Sequence, residues 1–201
     1  MAELTITTFV SLDGVMQAPG GPAEDPGGGF IHGGWVFPLA DEGMGAMMSD
    51  IFSKADAFLL GRTTYDIFAA YWPKVTDPAD PVAGKLNSLP KFVASRTRTS
   101  FDWKESLLVS DPVRETPELK KRFPREIQVH GSCGLAQTLM AADLIDEYRI
   151  LTFPVVIGSG KRLFGEGTVP ASFRLKESRV TKKGIVISVY RRAGGLKTGS
   201  F

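Results

Sequence analysis

The chain has 201 residues, 24 Lys and Arg against 22 Asp and Glu for a formal charge of +2, and is 43% hydrophobic and 23% charged, the composition of an ordinary globular domain rather than a disordered or fibrous one. A single cysteine, Cys133, excludes an internal disulfide, and with His32 and His130 as the only histidines there is no Cys/His cluster for zinc, so no metal is expected. No apolar run reaches the ~18 residues of a membrane span, the start lacks a signal-peptide pattern, and the short basic groups Lys120-Lys121-Arg122, Lys182-Lys183 and Arg191-Arg192 are not interleaved with aromatics, so the expectation is a cytoplasmic protein with no membrane or nucleic-acid partner.

Leu4 to Val10, rich in Thr, Ile, Phe and Val, reads as a buried first strand. From Ser11 to about Leu39 the chain is rich in Gly and Pro, too long for a plain connector, and Phe30, Trp35, Val36 and Phe37 give it apolar groups to bury. An ordered flap is expected there. Met44, Met47, Met48 and Ile51 fall at i, i+3, i+4 and i+7 on a helix from about Asp41 to Ser53. A second strand, Ala57 to Leu60, feeds a helix with Tyr65, Phe68, Ala69 and Trp72 on its inner face.

A short helix follows over Val82 to Leu89, then strands at Lys91 to Ser95 and Leu107 to Val109, a surface helix from Glu118 to Phe123, and a fifth strand from Glu126 to His130. Leu135, Thr138, Leu139 and Ala142 line the buried face of the next helix, and Glu147 to Phe153 is a strand. Ser172 to Thr181 and Ile185 to Arg191, joined through Lys182-Lys183-Gly184, form a hairpin. The expectation is a single α/β domain over residues 1–192, a mostly parallel central sheet with an antiparallel C-terminal hairpin and helices on both faces, followed by a flexible tail over 193–201.

Two strand-to-helix junctions carry the chemistry. Leu60-Gly61-Arg62-Thr63-Thr64 and His130-Gly131-Ser132-Cys133-Gly134-Leu135 each pass from an apolar strand through Gly and hydroxyl residues into a helix, which leaves backbone N–H groups free for an anion. Arg62 offers a planar fork for a phosphate, and Ser95-Arg96-Thr97-Arg98 supplies a second basic cluster after a strand. Together they read as phosphate grips for NADPH, the 2′-phosphate falling to Arg62 and Arg96. Neither the Gly-x-Gly-x-x-Gly fingerprint nor a phosphate loop is present, since position 155 is Val and Arg162 follows Lys161. Asp13 and Asp41 are the candidate catalytic acids for protonating a reduced C=N bond, though Asp41 is equally a helix cap and Asp13-Gly14 a turn.

These motifs, with Ser11-Leu12-Asp13-Gly14 and the run from Asp143-Leu144-Ile145-Asp146-Glu147 through Pro154-Val155-Val156-Ile157-Gly158-Ser159-Gly160-Lys161-Arg162-Leu163-Phe164, resemble the dihydrofolate reductase superfamily. They are most similar to the C-terminal reductase domain of the bifunctional riboflavin-biosynthesis deaminase-reductase and its stand-alone relatives. The resemblance implies a dihydrofolate reductase-like three-layer fold, a homodimer, and NADPH along Gly61, Arg62, Thr63, Thr64, Ser95, Arg96, Gly131, Ser132, Cys133, Gly134 and Leu135. It implies a pyrimidine- or pteridine-type substrate, or the ribose attached to one, held by Phe9, Trp35, Met44, Met48 and Phe153. A nucleotide-binding protein without turnover and a flavin-dependent reductase of small xenobiotics remain the alternatives.

Overall fold

The computed structural model describes residues 1–200. Its sheet contains β1 (Glu3–Ser11), β2 (Ala55–Gly61), β3 (Lys91–Ala94), β4 (Ser106–Val109), β5 (Glu126–His130), β6 (Glu147–Phe153), β7 (Ala171–Val180) and β8 (Val186–Gly195) in the order β4-β3-β2-β5-β1-β6-β8-β7. All pairings from β4 to β6 are parallel, and β8 runs antiparallel to both β6 and β7. The central strands β1, β2 and β5 are almost wholly buried, which is why β1 and β2 read as near-continuous apolar or β-branched runs, while β5 also buries the polar Gln128 and His130.

Five helices cover the two faces: α1 (Glu42–Ser53), α2 (Arg62–Tyr71), α3 (Pro81–Ser88), α4 (Pro112–Arg122) and α5 (Cys133–Ala141). Leu119 of α4 and Leu135, Ala136 and Leu139 of α5 pack with Ile6, Leu59, Ile127 and Val129 on one face. On the other, Met47 and Ile51 of α1 pack on Leu151, Phe153 and Ile187, while Phe52, Tyr65 and Leu86 close over Phe58, Leu60 and Val93. The apolar stripe expected on α1 thus splits: Met47 and Ile51 are buried, and Met44 and Met48 lie at the edge of that core.

Three local readings are corrected. The helix expected from Glu118 begins at Pro112, because Asp111 caps it through the N–H groups of Val113 and Arg114 and Pro112 occupies a first-turn position where no amide is needed, so Pro117 is carried inside. On α5 the buried position is Ala136, and Thr138 is exposed and donates back to the Gly134 carbonyl. Strand β8 continues to Gly195, paired with Ala171, so the segment expected to be a tail from 193 is still sheet for three residues; Phe201 lies outside the described residues.

The Gly-rich segment after β1 is an ordered flap, as its aromatic content suggests, although Phe37 is exposed. Its hub is the buried Gln17, whose Nε2 donates to the carbonyls of Asp25 (3.0 Å) and Gly27 (2.8 Å) while Oε1 accepts from the Lys161 N–H (3.0 Å). Close approach requires glycine at two positions: in the flap a Cβ on Gly33 would lie 2.4 Å from the Gly21 carbonyl oxygen, and in the turn after β6 one on Gly160, at φ +124°, would meet Phe30 and Val15 of the flap at 2.9 Å.

Candidate active site

The C-terminal ends of β1, β2, β3 and β5 open into one cavity of about 1260 Å³, the usual crevice of an open α/β sheet. The flap contributes Met16 to Gly20, Glu24 and Asp25, helix α1 contributes Met44, Met48 and Phe52, and the turn after β6 contributes Lys161 and Arg162. Gly61, Arg62, Thr63, Thr64, Ser95, Arg96, Gly131, Ser132, Cys133, Gly134 and Leu135 all lie on its wall.

The two junctions are joined directly. Because β2 pairs with β5, Gly61 sits beside the turn after His130, and its N–H donates to Ser132 Oγ at 3.0 Å. Ser132 in turn donates to the His130 carbonyl at 3.1 Å. Gly131 (φ +53°) and Ser132 (φ +56°) are both left-handed, so the chain turns sharply and α5 starts with its amides toward the cavity. A Cβ on Gly61 would meet Ser132 at 3.4 Å, and the space around a Cβ on Gly134 is open.

Helix capping separates these two starts from the others. Asp41, Asp80 and Asp111 accept first-turn N–H groups of α1, α3 and α4, whereas α2 and α5 have no side-chain cap. Free amides at two adjacent helix starts are a donor set for a polyanion. Arginine completes it: Arg62 is half-exposed in an i,i+4 pair with Asp66 at 3.0 Å, Arg98 shares that carboxylate, and Arg96 is exposed on the wall. Such surface pairs are weak enough to be exchanged for a phosphate.

Toward α1 the cavity turns apolar. Phe9, Met44, Met48 and Phe52 form this end, with Thr7 and His130 on its floor. Trp35 and Phe153 do not reach the cavity wall; they pack edge-to-face at 5.4 Å beneath it, the Trp35 indole donating to the Gln17 carbonyl at 2.8 Å. Cys133 donates to the Arg162 carbonyl at 3.4 Å, and burial pushes its thiol pKa up, the opposite of an activated nucleophile.

Neither expected acid is among the cavity-lining residues. Asp13 accepts from Ser11 Oγ (2.6 Å) and the N–H groups of Ile157 (3.1 Å) and Gly158 (2.8 Å), bonds that hold its pKa far below the usual carboxylate range. It is a latch between β1 and the turn after β6. Asp41 caps α1 through Met44 and accepts from the Lys183 N–H, bonds that likewise depress it. Three carboxyls that were not sequence candidates line the wall, Glu24, Asp25 and Asp111, and Asp111 is spent capping α4. Burial raises the pKa of Glu24 against the opposing effect of the Gly20 N–H it accepts, and Asp25 beside it is taken by Lys161. Nothing in the local pattern marks Glu24, because the fold-back of the flap is what brings it to the site.

The profile of the RibD C-terminal domain family matches residues 2–187. The chain belongs to that family. It is 30% identical over 195 residues to the uncharacterized protein YyaP of Bacillus subtilis, covering 96% of each, and 29% identical over 171 residues to YwjB of the same organism, covering 85% of this chain and 87% of the relative. The fold is similar to that of a putative riboflavin biosynthesis protein from Shewanella sp. PV-4 (TM-score 0.70, 24% identity, 96% of this chain and 99% of the other). It is also similar to a diaminohydroxyphosphoribosylaminopyrimidine deaminase/5-amino-6-(5-phosphoribosylamino)uracil reductase from Thermotoga maritima (TM-score 0.63, 14% identity), of which it spans 57%. The dihydrofolate reductase-like α/β architecture expected from the motifs is therefore the observed one.

Proposed function

We propose that the chain is an NADPH-dependent reductase of a pyrimidine- or pteridine-type heterocycle. Membership of the RibD C-terminal domain family supports a reductase, and one observation carries the cofactor assignment: two adjacent helix starts, uncapped while the other three carry Asp caps, face one cavity with Arg62 and Arg96 at its wall. The donor set fits a dinucleotide. Amides of α5 around Gly134 and of α2 around Thr63 and Thr64 would hold the phosphates, and the exposed Arg62 and Arg96 the 2′-phosphate. NADPH, when bound, supplies a hydride from its nicotinamide C4.

The chain's own groups orient and protonate. Phe9, Met44, Met48 and Phe52 offer an apolar slot for a flat heterocycle, and flap residues Met16 to Gly20 form part of the same wall. Glu24, on the cavity wall with its pKa raised by burial, takes the part of proton donor in place of Asp13, delivering the proton that follows hydride onto nitrogen.

The test is calorimetric titration of wild type, Arg62→Ala and Arg96→Ala with NADPH and NADH. Each variant is expected to lose about tenfold or more against NADPH and little against NADH. Equal losses for both dinucleotides would remove that arginine from its role. Tight NADPH binding without oxidation across pterins and pyrimidines would support the binding module instead.

A further inference from the structure

The floor of the cavity carries two polar side chains that the reaction above does not use. Thr7 of β1 and His130 of β5 are register partners in the parallel β1–β5 ladder, so they project from the same face of the sheet. They are only 2% and 5% exposed, and both reach the cavity. Thr7 Oγ1 is buried with no hydrogen-bond partner, an expensive state for a hydroxyl unless a ligand completes it.

The hydrogen-bond chain behind His130 fixes which of its nitrogens carries hydrogen. Arg149, which can only donate, forks onto the Glu126 carboxylate at 2.9 and 2.7 Å. Gln128 Nε2 donates to that carboxylate at 2.9 Å and to the Ile51 carbonyl at 2.6 Å, both acceptors, so the amide oxygen must face His130. Gln128 Oε1 lies 3.1 Å from His130 Nε2 and only accepts. Nε2 therefore bears the hydrogen, and Nδ1 keeps its lone pair with no protein donor among the described residues. A second proton is disfavoured by burial and then by the Arg149 charge, which bring the imidazole pKa down to about 3. Stacking on Phe52, centroids 4.5 Å apart and planes 16° from parallel, fixes the ring's plane.

We infer that Thr7 and His130 form a recognition pair for an aminopyrimidine-type edge of the substrate. His130 Nδ1 accepts an exocyclic N–H, and the Thr7 hydroxyl donates to the neighbouring ring nitrogen. A carbonyl at the position facing Nδ1 would set two acceptors against each other, so the pair selects amino over oxo heterocycles. The inference rests on the reductase reading for the word substrate; the pair's chemistry does not.

Solution NMR of the protein labelled with ¹⁵N-histidine tests it, with 4-aminopyrimidine and 4-methylpyrimidine as equally shaped probes. The His130 signals are expected to show the Nε2–H tautomer unchanged from pH 8 to 5, and 4-aminopyrimidine to move Nδ1 upfield while 4-methylpyrimidine does not. Thr7→Val, which removes the orphan hydroxyl and keeps the shape, is expected to melt no lower than wild type yet bind 4-aminopyrimidine about tenfold more weakly. His130→Asn should retain part of that affinity through its own acceptor. Titration of His130 between pH 5 and 8, no response or equal responses to the two probes, or a Nδ1 shift produced by NADPH alone would overturn the pair. If NADPH fails to bind while 4-aminopyrimidine still moves Nδ1, the pair stands and the reductase reading falls.

Discussion

At the scale of single residues, position in the fold sorts the acids. Asp13 and Asp41 lie off the cavity wall with backbone N–H bonds that lower their pKa values, whereas Glu24 lies on that wall, where burial outweighs its own bond from the Gly20 N–H and raises its pKa. The expected outcome follows from the sign of that shift. An acid that must be protonated loses activity as pH rises through its raised pKa, so turnover should fall on the alkaline side of that value, and Glu24→Gln should lower kcat at acidic pH and flatten the limb while leaving NADPH affinity unchanged. An alkaline limb that persists in the variant would assign the proton to water. The two junctions that share the cavity wall were legible in sequence because Gly-hydroxyl turns after apolar strands have a local signature. Glu24, Lys161 and Thr7 were not, since what makes them site residues is which distant segment they meet.

Among the elements, strands β5 and β6 and most helices fall where period and turn residues place them, because a strand buried on both faces or a helix with one apolar stripe declares itself. The first half of helix α4, before Glu118, escaped because Pro117 reads as a stop, while the Asp111 cap and the burial of Thr116 and Leu119 outweigh the one hydrogen bond it forfeits. Helix α5 offers the sharpest test at this scale. Gly134 lies in its first turn, beside the cavity, with nothing within 4 Å of a Cβ. Gly134→Leu should therefore stabilise the free protein by roughly 0.5–1 kcal/mol through helix propensity and weaken NADPH by about tenfold or more by filling the cradle, read by thermal melts beside dinucleotide titration. Undiminished affinity would move the phosphates away from α5.

For the whole molecule, the buried polar ladder beneath α1 sets a pH dependence. His130 has a folded pKa of about 3 against an ordinary value of 6.5, so between them the unfolded chain binds a proton that the folded one refuses. Its contribution is complete above pH 6.5 and is lost as pH falls toward 3, at up to about 1.4 kcal/mol per pH unit. Urea unfolding from pH 7 to 5, a window above the depressed carboxylates, should show this decline, and His130→Asn should lose it. A wild-type stability that is flat across that window would mean the imidazole is not held neutral.

Because Thr7, Gly61 and His130 come together only when β1, β2 and β5 lie side by side, the binding chemistry is a late product of chain assembly. A nascent polypeptide that has not yet delivered its fifth strand owns one bare helix start and half a floor, and lacks the Gly61–Ser132 bond that joins the two junctions. Were the proposed dinucleotide bound, its retention would thus report that these three strands have paired.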